Sequence, residues 1–261
     1  MVHRAKKKFG QNFLVDEQII GDIISAICPE PEDNMVEIGP GLGALTRPLL
    51  KKLNHLHVVE IDRDIIARLE HDYPQDNSKL KLTIHPGDAL AFDIATLPAS
   101  LRIVGNLPYN ISSPLLFHFA AYAERIRDMH FMLQNEVVER MVAEPSTPAY
   151  GRLSVMLQYR FQMEKLLDVP PESFRPAPKV DSAIVRMLPL PADQILVRNE
   201  KLFAAIVRTA FGQRRKTLRN TMRSYLSEED FERLGINPQL RAENLAVTDF
   251  IKVANYLDER A

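Results

Sequence analysis

The stretch VEIGPGLG, residues 36–43, runs from a short strand-like segment into a turn holding Gly39, Gly41 and Gly43. Glycine adopts positive φ without penalty and lets the backbone come close to a ligand. A helical stretch follows over residues 44–52, and HVVEI, residues 57–61, reads as the next strand. Glu60 closes that strand, 21 residues after Gly39. An acid at that place can accept both ribose hydroxyls of an adenosine. Turn and acid together point to nucleoside binding.

The spacing narrows the choice of nucleoside. An NAD fingerprint is usually Gly-x-Gly-x-x-Gly, with pyrophosphate resting on the helix N-terminus. Here it is Gly-x-Gly-x-Gly with Pro40 inside. S-adenosylmethionine carries no phosphate, so the loop need only skirt its methionine and ribose. GDAL, residues 87–90, follows a third strand read over residues 81–84 and supplies Asp88. Asp88 can accept from the adenine amino group of that cofactor, cap the next turn, or do both.

Working outward, residues 64–71 read as a helix, 102–105 as a fourth strand and 113–125 as a helix. Residues 130–133 read as a fifth strand, and 135–143 and 151–158 as helices. Such alternation predicts an α/β fold with a mostly parallel sheet covered on both faces. FQMEKLLDV and AIVRMLPL have no helix between them and are expected to close the sheet as an antiparallel pair, making seven strands. PLPAD, residues 189–193, breaks the pattern, and the rest is helical, with start signals at Ser227 and Thr248. The division expected is a domain of residues 1–190 followed by a small all-α domain of residues 191–261.

Composition is that of an ordinary globular chain, 46% hydrophobic and 26% charged over 261 residues. The single cysteine, Cys28, excludes an intramolecular disulfide framework and offers no metal cluster. No run approaches the ~20 apolar residues of a membrane span. The basic start lacks the apolar run of a secretory signal, so a cytoplasmic protein is expected. The net charge of −1 hides an uneven distribution. Arg4, Lys6, Lys7 and Lys8 crowd the N-terminus. Between Arg198 and Arg223 lie eight basic residues and one acid, Glu200. Arg208, Arg214, Arg215, Lys216, Arg219 and Arg223 are the candidate RNA contacts. Arg208, Arg215, Arg219 and Arg223 are spaced to share one face of a continuous helix; a break at Gly212 would leave the last three.

GNLPYN, residues 105–110, ends the fourth strand. An exocyclic amine feeds its lone pair into the purine ring and is a poor nucleophile. The Asn106 side-chain oxygen and the Pro108 carbonyl can hold its two hydrogens, making the nitrogen more tetrahedral and aiming its lone pair at a sulfonium methyl. Tyr109 offers a ring for a base taken out of its stack. Transfer is then a displacement governed by positioning and polarisation.

These residues, with GQNFL (10–14), NEVVERMVA (135–143), YGRLSVMLQ (150–158) and SFRPAPKVDSAIVRM (173–187), closely resemble the ribosomal RNA adenine dimethyltransferase family. QRRKTLRN, residues 213–220, resembles its bacterial small-subunit, 16S branch. The resemblance runs from about Lys7 to the last helix. It implies a Rossmann-like, class I S-adenosylmethionine-dependent domain plus a small helical RNA-binding domain. It also implies transfer of two methyls to each of two adjacent adenosines in the 3′-terminal hairpin of 16S rRNA, in a 30S particle. Asn12 and Leu14 match positions near the methionine end of the cofactor. Gly39 matches the glycine loop together with Gly41, Glu60 the ribose acid and Asp88 the adenine acid. Asn106 matches the catalytic asparagine bordering the cofactor, and Phe174 an aromatic that helps hold the target base. A monomer is expected, with no DNA or membrane partner and no metal.

Other readings remain. A large-subunit methylase of the antibiotic-resistance type shares the superfamily, but QRRKTLRN and the long 173–187 segment favour the small-subunit branch. A DNA adenine methylase would need a target-recognition domain. A non-catalytic assembly or transcription factor would not need the intact Asn-Leu-Pro-Tyr loop, and a dehydrogenase would need other glycine spacing.

Overall fold

The structure, a computed structural model, describes Lys6 and residues 10–74 and 82–260. Arg4, Lys7, Lys8 and Lys81 lie outside the described residues. The chain runs β1 (Phe13–Leu14), α1 (Glu17–Ile27), β2 (Met35–Ile38), α2 (Thr46–Lys52), β3 (Leu56–Glu60), α3 (Arg63–Asp72), β4 (Leu82–Pro86) and β5 (Leu101–Asn106). It continues through α4 (Ser112–Ala120), β6 (Ile126–Gln134), α5 (Asn135–Val142), α6 (Arg152–Gln158), β7 (Phe161–Val169), β8 (Phe174–Arg175) and β9 (Ser182–Pro189). The tail holds α7 (Glu200–Ala210), α8 (Leu218–Thr221), α9 (Glu228–Leu234) and α10 (Val247–Asp258).

Seven strands form one sheet in the order β4-β3-β2-β5-β6-β9-β7. The pairs from β4 through to β6 are parallel, and β9 joins β6 antiparallel. β2 is buried along its whole length, as a strand covered on both faces must be. β3 lies on one side of β2 and β5 on the other. That reversal of strand order opens a crevice beyond the strand C-termini, the usual ligand site of open α/β sheets.

Local signals explain the elements that frame this crevice. Asp16 caps α1 by accepting from the Gln18 and Ile19 amides. Ile20, Ile23 and Ile27 form its buried face, at helical spacing. They join Leu14, Met35, Leu49, Val104, Met132 and Phe174 in one apolar core. β1 and β8 form a separate two-stranded ribbon, with Phe13 opposite Arg175 and Leu14 opposite Phe174.

The division of the chain differs from the consecutive one expected at residue 190. One compact unit comprises Met1–Val138 with Glu164–Pro189, and the other Glu139–Met163 with Leu190–Ala261. Residues 139–163 change sides because their apolar face packs in the second core: Tyr150, Val155 and Tyr159 cluster with Phe203, Ile206, Val207 and Phe250. The Tyr150 hydroxyl also donates to the Leu245 carbonyl (2.9 Å).

Two helical expectations in the tail need correction. Ser227 does cap α9, but α10 starts before Thr248. The Asp249 carboxylate accepts from the Ala246 amide (3.1 Å) and sets the start at Val247. The arginine stripe does not form on one helix either. α7 stops at Ala210 and α8 has only four residues. The first amides of α8 are taken by a distant segment, Leu218 N–H by the Leu240 carbonyl (2.8 Å) and Arg219 N–H by the Pro238 carbonyl (3.0 Å). With those donors committed, the helix cannot extend back through Arg215.

Candidate active site

A cavity of about 250 Å³ lies beyond the C-terminal ends of β2, β3 and β5. Asn12, Leu14, Gly39, Gly41, Glu60, Asp88, Asn106, Pro108 and Tyr109 all line it. Gly39 and Gly41 have φ of +66° and +54°. A Cβ on Gly41 would come within 3.1 Å of the Phe13 ring, so the glycine lets the loop and the β1 ribbon approach this closely.

Glu60 is buried at the end of β3, and its Oε1 accepts from the Ile61 (2.9 Å) and Asp62 (2.8 Å) amides. Burial pushes its carboxyl up, against the pull of the Asp62, Ile61 and Gly41 amides. One oxygen is thereby oriented by backbone, which leaves the carboxylate steady for a ligand. Asp88 is exposed at the mouth, and its Oδ1 accepts from the Leu90 amide (2.9 Å), so it caps the turn and still has a second oxygen to offer. Just past Glu60, Asp62 accepts from Lys6 Nζ (2.5 Å) and Gln11 Nε2 (2.9 Å). The ribbon that carries Asn12 and Leu14 is thus tied to the same loop as Glu60.

Glu37 also lines the cavity, and the sequence reading passed over it. It sits mid-strand in VEI, where an acid looks solvated; in fact it is buried and accepts from Thr46 Oγ (2.6 Å). Burial, with the nearby Glu60 charge, pushes its pKa from 4.5 up to about 7. The folded state therefore favours the protonated form. Below pH 4.5 both states are protonated and nothing is lost; stability falls as pH rises toward 7 and then levels off. At about 1.4 kcal/mol per unit the full effect is about 3 kcal/mol. Glu37→Gln is expected to raise the melting temperature of cofactor-free protein at pH 8 and to leave it unchanged at pH 4.5. Equal shifts at both pH values in calorimetry would refute the assignment.

The Asn-Leu-Pro-Tyr loop is braced at every residue. Asn106 Nδ2 donates to the Asn12 carbonyl (3.0 Å), and Leu107 N–H to the Met132 carbonyl (3.1 Å). The Pro108 carbonyl accepts from Ile111 N–H (3.1 Å), and Ser112 Oγ donates to the Tyr109 carbonyl (3.2 Å). The Asn106 amide group is thereby fixed, with its Oδ1 taking no hydrogen bond among the described residues. A carbonyl accepts twice, so Pro108 keeps one acceptor position.

Phe174 stands elsewhere. It is fully buried, pairs across from Leu14, and does not line the cavity. Its ring packs in the apolar core with Leu14, away from the cavity lining. Among the basic candidates, Arg214 is engaged by Glu243 (3.4 Å) and the Pro148 carbonyl (2.9 Å), and Arg219 by Glu228 (2.7 Å). Arg208, Arg215, Lys216 and Arg223 are exposed and form no ion pair among the described residues.

A nucleoside crevice joined to an asparagine–proline–tyrosine loop fits one family, and comparison with known proteins agrees. The sequence model for ribosomal RNA adenine dimethylase matches residues 2–259. The chain belongs to the ribosomal RNA adenine dimethylase family. It is an S-adenosylmethionine-dependent methyltransferase of ribosomal RNA adenine. Ribosomal RNA small subunit methyltransferase A of Aromatoleum aromaticum is 64% identical over 98% of this chain and 95% of the relative. Its counterpart in Nitrosospira multiformis is 61% identical over 99% and 98%. Among solved structures, a dimethyladenosine transferase from Plasmodium falciparum superposes with a TM-score of 0.81 at 25% identity, covering 95% of this chain and 98% of that one. The cavity suits the family's cofactor. Its floor is glycine at 39 and 41, and Glu60 and Asp88 bring two carboxylates to its lining that could accept from hydroxyl and amino groups.

Proposed function

We propose that this dimethylase acts on the small ribosomal subunit, placing two methyls on each of two adjacent adenosines in the 3′-terminal hairpin of 16S rRNA. The observation that carries the chemistry is the fixed Asn106 amide, held by the Asn12 carbonyl with its oxygen left over for a substrate hydrogen. The observation that favours the small subunit is the name shared by relatives 61–64% identical over nearly the whole chain.

Glu60 and Asp88 would hold the ribose and adenine of the cofactor, with Gly39, Gly41, Asn12 and Leu14 shaping the rest of its seat. S-adenosylmethionine, when bound, supplies an electrophilic methyl on a sulfonium. Asn106 Oδ1 and the Pro108 carbonyl accept the two hydrogens of the target amine and turn its lone pair toward that methyl. Tyr109 supports the ring. The amine becomes acidic only once methylated, so no strong base need act first. The helical unit supplies phosphate contacts through Arg208, Arg215, Lys216 and Arg223, the candidates with no ion pair among the described residues; Arg214 and Arg219 serve first to hold their own unit together. The enzyme works as a cytoplasmic monomer. Among the described residues no helix is long and apolar enough to cross a membrane.

Unmodified 30S particles incubated with enzyme and methyl-labelled cofactor should gain dimethyladenosine at two neighbouring positions near the 16S 3′ end, mapped by mass spectrometry. Label appearing in 50S particles instead would favour the large-subunit reading. In filter binding to 30S particles across a salt series, Arg215→Ala with Arg223→Ala is expected to weaken binding and lower the salt slope by about two.

A further inference from the structure

Tyr109 is tied to the sheet by a contact that the proposed chemistry does not use. Its phenolic oxygen lies 2.6 Å from Ser182 Oγ. Ser182 is fully buried at the first position of β9, directly opposite Gln134 of β6. Among the described residues its hydroxyl has no other hydrogen-bond partner. The neighbouring backbone is firm: Asn135 N–H donates to the Asp181 carbonyl (2.9 Å), and Lys165 Nζ donates to Asn135 Oδ1 (2.8 Å). Tyr109 is therefore gripped at both ends, its carbonyl by Ser112 and its hydroxyl by a serine on a different strand.

This grip has two consequences. One hydrogen bond of the phenol is committed to Ser182, which leaves the ring face as the main surface Tyr109 offers a substrate. The ring axis is also held in place, because swinging it about the Cα–Cβ bond would carry the phenolic oxygen away from Ser182 and leave a fully buried serine hydroxyl without a partner. Burial pushes the phenol up, so it stays protonated at working pH and either hydroxyl of the pair can donate.

We infer that Ser182 is a positioning residue for methyl transfer: through its hydrogen bond it holds the Tyr109 ring in place, and so the place where the target adenine is supported, relative to Asn106 and Pro108. The inference rests on the reading of Tyr109 as the surface that supports the base.

A double-mutant cycle tests it. Tyr109→Phe, Ser182→Ala and the double variant are compared in single-turnover methylation of 30S particles at saturating S-adenosylmethionine, alongside cofactor affinity. Each single change is expected to slow transfer by about tenfold, on the scale of one hydrogen bond. The double variant is expected to be no slower than the slower single, because both remove the same bond. Cofactor affinity should stay within about twofold of wild type in all three. Multiplying effects in the double variant, or transfer at the wild-type rate in Tyr109→Phe, would overturn the inference. Tyr109→Phe keeps the ring volume, so it decides the matter even where Ser182→Ala does not fold. Tyr109→Ala separates the two layers. If it abolishes transfer while Tyr109→Phe does nothing, only the role of Ser182 fails; if it too leaves the rate intact, the reading of Tyr109 fails as well.

Discussion

Asn106→Ala is expected to slow single-turnover methyl transfer by ~10²–10³-fold, the usual loss when one preset hydrogen-bonding group leaves a reacting centre. The argument rests on which end of the amide is committed. Nδ2 donates to the Asn12 carbonyl at 3.0 Å, so the group cannot flip without setting oxygen against oxygen. The remaining Oδ1 is an acceptor and nothing else, the kind of group an amine hydrogen requires. Alanine removes this acceptor and also frees the Asn12 carbonyl, so some cofactor affinity is lost with the rate. Running the assay at saturating S-adenosylmethionine isolates the chemical step, and filter binding to 30S particles checks that RNA affinity survives. Asn106→Asp is a useful companion: it keeps an acceptor but places a carboxylate against the Asn12 carbonyl, and should rescue little. A folded Asn106→Ala enzyme turning over within about threefold of wild type would remove Asn106 from the mechanism.

Much of this site was readable from sequence because it is built where strand meets loop. Gly39, Glu60 and Asn106 each follow or end a buried parallel strand, and such strands show as short apolar runs that need no partner to be recognised; Asp88 follows the edge strand β4. Their positions in the chain then fix their positions around the crevice. What escaped reading depends on distant pairing. β1 and β8 have two residues each and are joined across some 160 residues of chain, so no periodicity marks them. Phe174 was expected at the target base, but its backbone pairs with Leu14 and its ring turns into the core. The arginine stripe had sound helical spacing; it failed because the 238–240 segment takes the amides on which a longer helix would depend. Residues 139–163 looked like further α/β pattern, yet their apolar face belongs to the other core, and an apolar face does not name its partner. Glu37 shows the same limit for charge. An acid inside a strand reads as solvated until the fold covers it.

Gly105→Ala is expected to destabilise the protein by about 3 kcal/mol or more, at the upper end of what overpacking costs. A Cβ at this position would lie 2.5 Å from the Ile38 carbonyl oxygen, and 3.3 Å from both the carbonyl carbon and the Cβ of Ile38. The nearest atoms are backbone, so no side chain can turn aside. Nor can the strands part cheaply: Glu37 pairs with Val104 one residue earlier, and both strands lie in the middle of the sheet. The strain falls at the switch point itself, with Gly39 next to Ile38 and Asn106 next to Gly105. Any variant that does fold should therefore also bind S-adenosylmethionine weakly, because the glycine floor and Asn106, the proposed catalytic asparagine, are pushed apart together. Gly21→Ala is the matching control. That glycine sits within α1 with nothing within 4 Å of the added carbon. Replacing it should leave the protein as stable or add about 0.5–1 kcal/mol, the ordinary gain from alanine over glycine in a helix. Urea unfolding of both variants measures the contrast, and a Gly105→Ala protein with a wild-type midpoint would show that β2 and β5 do not approach each other as closely as the fold requires.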